Sequence, residues 1–201
     1  MYTPKHFQIT DTSEAVAFMQ RYSFATLISI NDNLPIAAHL PFVVKEQEGK
    51  VILSSHLAKP NPQSDDLTHG TALVIFAEPH AYIAPKHYEK ELNVPTWNYL
   101  AVHAYGKPVS VNDEHQQLKA LEEMISYYDA DYLQQWAGLP IEYKLKLCKG
   151  ITVFEMEVTD LQGKKKLSQN RSAIDKQSIT TALSNSSNDN EKIIAEYMRK
   201  E

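Results

Sequence analysis

Four strand-like segments follow one another between Phe24 and Ala77 with no helical crossover among them. FATLISI (Phe24 to Ile30) and LPIAAHLPFVV (Leu34 to Val44) flank the turn signal Asn31-Asp32-Asn33, while VILSSH (Val51 to His56) and TALVIFA (Thr71 to Ala77) each follow a glycine. Parallel neighbours need a long crossover, usually a helix, so this spacing predicts an antiparallel meander or barrel rather than a doubly wound sheet. Pro35 and Pro41 each lack a ladder donor and mark strand ends, an edge or a bulge.

The other elements fit around that meander. A short helix is predicted over Thr12 to Tyr22, with Asp11 as N-cap, Glu14 three residues on, and Val16, Met19 and Tyr22 on one face. A fifth strand, NYLAVHAYGKPVSV (Asn98 to Val111), leads into a helix where Leu118, Leu121, Ile125 and Tyr128 repeat at helical spacing. A sixth, ITVFEMEV (Ile151 to Val158), starts after a helix stop at Gly150. From Ser178 onward two weaker helical patterns flank the polar run Ser184 to Asn190. The fold class is α+β, mainly β, with one domain over residues 1–171 and a helical tail over 172–201 packed on or near it.

With 43% hydrophobic and 22% charged residues, the composition is that of an ordinary soluble globular chain. A net charge of −5 offers nucleic acid no overall attraction. The one basic cluster, Lys164, Lys165, Lys166, Arg171 and Lys176, begins after a glycine and reads as a solvated turn. Cys148 has no cysteine partner and sits beside Leu145 and Leu147, which reads as a buried thiol. No apolar run suits a signal peptide or membrane helix, so the expectation is a cytoplasmic, non-membrane protein.

Three segments carry candidate chemistry. In SSHLAKPNP (Ser54 to Pro62), Ser55, His56, Lys59 and Asn61 combine hydroxyl, imidazole, ammonium and amide groups that a phosphate monoester accepts. The same stretch equally reads as a polar loop with a helix cap at Asn61. EPHAYIAPKHYEKELNVPTWNY (Glu78 to Tyr99) is rich in flat side chains and prolines; it can wall a planar ring, with Asn98 in hydrogen-bonding reach, or pack on itself. In KKKLSQNRS (Lys164 to Ser172), Ser168, Gln169, Asn170 and Arg171 either face water or meet a polar ligand, because such a row is costly to bury unpaired.

The eight histidines never fall at HxxxH or HExxH spacing, which argues against a metal site, and no GxSxG elbow points to a serine hydrolase. No residue stands out as a general acid or base.

In order, MYTPKHF, FATL, AAHLPF, SSHLAKPNP, PHAYIAP, VPTWNY, VHAYG and KLSQNRS resemble the PaiB family, within the flavin-reductase-like split barrels that include pyridoxamine 5'-phosphate oxidases. The resemblance runs from Met1 to about Arg171. It implies a six-stranded antiparallel split β-barrel with flanking helices, forming a homodimer with flavin mononucleotide (FMN) at the interface. Carried over by position, His39, Leu40, Pro41 and Phe42 would lie nearest the isoalloxazine edge, and Ser55, His56, Lys59 and Asn61 would take the ribityl phosphate. Trp97 and Asn98 would approach the cofactor, and Lys166, Gln169, Asn170 and Arg171 would close the site. KHYEKELN, after PHAYIAP, is longer and more charged than the family's compact aromatic turn, which sets Lys86 to Leu92 apart from a cofactor wall.

The resemblance also implies a negative transcriptional regulator with a DNA or regulatory protein partner. Neither a helix-turn-helix pattern nor the acidic charge supports direct DNA reading. The alternative is an FMN-dependent oxidoreductase, flavin reductase-like or haem-handling.

Overall fold

Nine strands and seven helices are distributed along residues 1–201, all of which the computed structural model describes. The strands are β1 (Gln8–Ile9), β2 (Phe24–Asn31), β3 (Leu34–Pro41), β4 (Val43–Gln47), β5 (Lys50–Ala58), β6 (Ala72–Phe76), β7 (His80–Ile83), β8 (Thr96–Ser110) and β9 (Ile151–Lys166). The helices are α1 (Thr12–Arg21), α2 (Gln63–Asp66), α3 (Glu114–Tyr128), α4 (Tyr132–Gly138), α5 (Ile141–Lys149), α6 (Ala173–Ser184) and α7 (Asp189–Met198). None is long and apolar enough to cross a membrane.

The chain divides into two units. A sheet unit comprises Val16–Phe76 and His103–Leu161; a terminal unit comprises Met1–Ala15, Ala77–Val102 and Gln162–Glu201.

In the sheet unit the strand order is β3-β2-β6-β8-β9-β5-β4. The first hairpin turns at Asp32 and Asn33, whose φ values of 46° and 63° suit the two-residue turn that matches strand twist. That turn makes Asn31 and Leu34 the closing hydrogen-bonded pair. Alternation along the ladder then points the backbone of Pro35 and Pro41 away from β2, so neither ring removes a bond to it. The stretch read as one strand from Leu34 to Val44 is two, because Phe42 leaves the ladder, donates its N–H to the Ser23 carbonyl at 2.8 Å and turns fully inward. With β3 and β4 counted together, the six sequence-legible strands form this path.

Phe42 meets Phe76 and Phe154 with ring centroids at 5.8 and 6.2 Å. Leu27, Leu53, Val74 and Met156 complete this fully buried layer, each side chain worth roughly 1.5–3 kcal/mol of burial. Gly106 permits close strand contact, since a Cβ there would overlap the Glu157 carbonyl oxygen. Asp113 caps α3 by accepting the Gln116 N–H at 2.9 Å, and Tyr128 at its other end donates to the Phe42 carbonyl at 3.0 Å and shares a hydrogen bond with the Ser23 hydroxyl at 2.8 Å. Helix α4, absent from the sequence reading, joins α3 through the Trp136 indole N–H on Glu122 at 3.0 Å, while α5 packs on α3 and ends at the expected stop, Gly150. Cys148 is buried in α5, and burial raises its thiol pKa.

The terminal unit holds two pairings missed in the sequence: β7 runs antiparallel to the start of β8, and β1 to the end of β9. Gly163 makes room for β1, because a Cβ would lie 2.7 Å from that of Ile9. Lys164 to Lys166, read as a solvated turn, instead extend β9. Lys164 donates to the Tyr2 carbonyl at 3.1 Å, and Lys165 pairs with both Glu14 and Glu201 at 2.6 Å. Helices α6 and α7 bury Ile179, Leu183, Ile194, Ala195 and Met198 by packing on each other and, through α7, on β7, so the helical tail shares the apolar core of this unit.

Candidate functional site

The anticipated site residues fall into two groups, one in each unit. In the sheet unit, β3 carries His39 and Pro41 on the same face of the hairpin as Phe24 and Thr26, while Leu40 pairs with Ala25 on the other. His39 is exposed and Leu40 and Pro41 are half-buried, whereas Phe42 belongs to the core.

Strand β5 presents the second set. Ser55 is buried and donates to the Pro41 carbonyl at 2.7 Å. The Asn61 side-chain oxygen accepts the Gln63 N–H at 3.0 Å, which is the helix-capping role its sequence context allows. Gln63, itself buried, donates to Ser29 at 3.0 Å and anchors the turn. Lys59 differs: its backbone N–H bonds the Gly150 carbonyl at 2.8 Å, while its exposed ammonium makes no ion pair. His56 is half-buried with no protein hydrogen bond, and burial lowers its pKa, leaving it a neutral imidazole with one N–H to offer at pH 7. This donor set fits a phosphate monoester through Lys59 and His56, with Ser55 and Asn61 shaping the turn that carries them.

In the terminal unit, Asn98 is sealed from solvent. Its amide donates to the Ser168 hydroxyl at 3.0 Å and approaches the Met198 sulfur at 3.6 Å. Gln169, in the turn after β9, folds back on the end of that strand, accepting the Leu167 N–H and donating to the Lys165 carbonyl, both at 2.7 Å. Arg171 donates to Asn93 at 2.8 Å and lies 4.3 Å over the Tyr88 ring, while Asn170 is exposed. Lys166 donates to the Thr96 hydroxyl and the Trp97 carbonyl. Burial, then Lys164 and Arg171, lower its pKa.

Trp97 does not stand alone. It lies opposite Tyr82 and diagonal to His80, with centroids at 5.6 and 5.8 Å, and Tyr99 pairs with His80 on the same face. His80, Tyr82 and Tyr99 could have been found from the alternation HAYI against TWNYL, had the short strand β7 been recognised. No three His, Cys, Asp or Glu side chains converge as a metal-holding group.

Residues 1–160 match the family described as "Putative FMN-binding domain". "Protease synthase and sporulation protein PAI 2" of Bacillus subtilis (strain 168) is 37% identical over 201 residues, spanning 98% of this chain and 96% of that one. Among solved structures, the flavocytochrome Anf3 from Azotobacter vinelandii superposes with a TM-score of 0.65 at 14% identity, covering 82% of this chain and 72% of that one. The FAD and heme binding protein from Mycobacterium smegmatis gives 0.60 at 15% identity, covering 79% and 73%. The antiparallel sheet with flanking helices is thus the split-barrel fold of flavin-binding proteins. The chain belongs to the FMN-binding family and, within it, to the PaiB group. Its cofactor is FMN.

Proposed function

We propose that this chain works in the cytoplasm as an FMN-loaded homodimer whose flavin governs a regulatory activity, exerted through DNA or a partner protein. The regulatory part draws support from the name of the Bacillus relative, which ties that protein to protease synthesis and sporulation. In this reading residues 1–171 form the flavin-binding domain and 172–201 its helical tail.

The observation that carries the site assignment is the pair of unengaged donors at the end of β5. Lys59 meets the phosphate as a cation, His56 donates a neutral N–H, and His39, Leu40 and Pro41 border the flavin ring. Bound flavin supplies one- and two-electron redox chemistry. The residues around it bind and orient it. The dimer draws support from the outer face of the β2–β3 hairpin, where Phe24 and Ile30 are 67% and 54% exposed in one apolar strip.

The test is an FMN titration followed by absorption and calorimetry. Lys59→Ala should weaken FMN binding by about 1.5–3 kcal/mol and leave the melting of the flavin-free protein unchanged. Unchanged affinity would reject the phosphate assignment. Slow bleaching of the flavin by reduced nicotinamide cofactor supports the regulatory reading; turnover at a catalytic rate overturns it in favour of an oxidoreductase.

A further inference from the structure

Within the sheet unit, a polar cavity of about 260 Å³ lies between α3 and the strand face opposite the phenylalanine core. Register builds its floor: Val43, Ser54 and Glu155 stand side by side across β4, β5 and β9, and Lys45, Ile52 and Glu157 form the next row on the same face. Phe154 and Met156 point the other way, into the core. Helix α3 packs over β4 and β5 and contributes Gln116, Lys119, Ala120 and Glu123, the i, i+3, i+4, i+7 spacing of a single helix face. A helix that covers a sheet ordinarily carries apolar side chains at such positions, and here only Ala120 is apolar. It is also the one buried residue of α3, and its small side chain leaves the space open.

The charges around the cavity are divided between spent and free. Lys45 is tied to Glu123, both partly buried, and Glu157 is taken by Lys50 at 2.9 Å. Lys119 and Glu155, one of each sign, line the cavity without an ion-pair partner, and the side-chain amides of Gln47 and Gln116 make no hydrogen bond. A phosphate would gain Lys119 but meet Glu155, and a diamine would gain Glu155 but meet Lys119. A ligand that carries both charges satisfies both residues. The volume lies below the roughly 300–1,000 Å³ of cofactor pockets, so that ligand is small.

We propose that this cavity binds a zwitterionic α-amino acid with an uncharged polar side chain. Its carboxylate meets Lys119, its ammonium meets Glu155, and its side chain is received by the amides of Gln47 and Gln116. The spent pair Lys45–Glu123 closes one side without favouring either sign. None of these residues belongs to the flavin assignment, and all of them lie in one unit. The site stands whether or not the flavin governs a regulatory activity.

NMR titration of the FMN-saturated protein with L-glutamine, L-asparagine, L-serine and L-threonine tests this, with flavin fluorescence monitored for release. Saturable binding of at least one of them without flavin release is expected. Taking L-glutamine as the example, L-glutaminamide and N-acetyl-L-glutamine, which lack the carboxylate and the ammonium respectively, should each bind about tenfold more weakly. Lys119→Met should weaken L-glutamine about tenfold and leave L-glutaminamide level, and Glu155→Gln should do the same against N-acetyl-L-glutamine. Both residues are exposed, so folding is checked by the melting temperature, and FMN affinity should stay level in both variants. Failure of all four amino acids to bind at millimolar concentration overturns the proposal. So does binding that ignores both substitutions, which places the ligand elsewhere, and so does release of FMN on binding. Tighter binding of inorganic phosphate or putrescine at Lys119 and Glu155 overturns it in favour of a ligand of one sign. If the protein takes no FMN at all, the flavin reading fails, and the same titration on the flavin-free protein still decides the amino-acid site.

Discussion

The Asn98 amide and the Ser168 hydroxyl bond each other in both directions inside the terminal unit, amide N–H to hydroxyl at 3.0 Å and hydroxyl to amide oxygen at 3.1 Å. Removing either partner strands the other without water. Asn98→Ala and Ser168→Ala should each cost about 1–3 kcal/mol in urea denaturation. The double variant should cost less than the sum, with a coupling of at least about 0.5 kcal/mol; strictly additive costs would count against the pairing.

Lys165 ties Glu14 in α1 to Glu201 at the end of the chain. Burial lowers its pKa, but the two carboxylates outweigh burial and raise it above the usual lysine value. A raised folded-state pKa stabilises fully below the unfolded value and fades as pH climbs through the folded one. Lys165→Gln should therefore lower stability by about 1 kcal/mol at neutral pH, and the difference from the parent should shrink above pH ~10.5. Thermal melts at pH 7 and pH 11 check this.

His56 and His103 are both shifted down by burial, and the Nδ1 atom of His103 is buried with no partner. The unfolded chain takes up protons before the folded one, so stability is complete above pH ~6.5 and falls as the pH drops below it. The melting temperature of the flavin-free protein should fall between pH 7 and pH 5, and His103→Gln should flatten the slope. FMN, by bringing a phosphate to His56, should raise that imidazole's pKa, which a proton NMR titration with and without flavin would reveal.

Gly106→Ala should cost about 1–3 kcal/mol by overpacking the contact with β9. Gly70→Ala, where a Cβ meets nothing within 4 Å, is the control and should leave the denaturation midpoint in place.

The six principal strands are legible because apolar alternation and turn residues are local signals. Strand β7 is too short for periodicity to declare it, and the lysines of β9 look solvated because Glu14 and Glu201 are far away in the chain. The same distinction runs through the site. The capping role of Asn61 is visible two residues on, at Gln63, whereas the bond from Ser55 to Pro41 exists only once β5 and β3 are brought together. Lys59 and His56 remain as the unengaged pair for a reason composition cannot express: the fold occupies their neighbours.

The two prolines of β3 have a colloidal consequence. Along its free edge the N–H groups that point outward belong to alternate residues, and at Pro35 and Pro41 they are missing, which leaves donors only at Ala37 and His39. A stray extended peptide therefore finds too few bonds to add itself as another strand. The apolar strip beside that edge can be kept for face-to-face recognition without seeding fibrils or precipitates at high concentration.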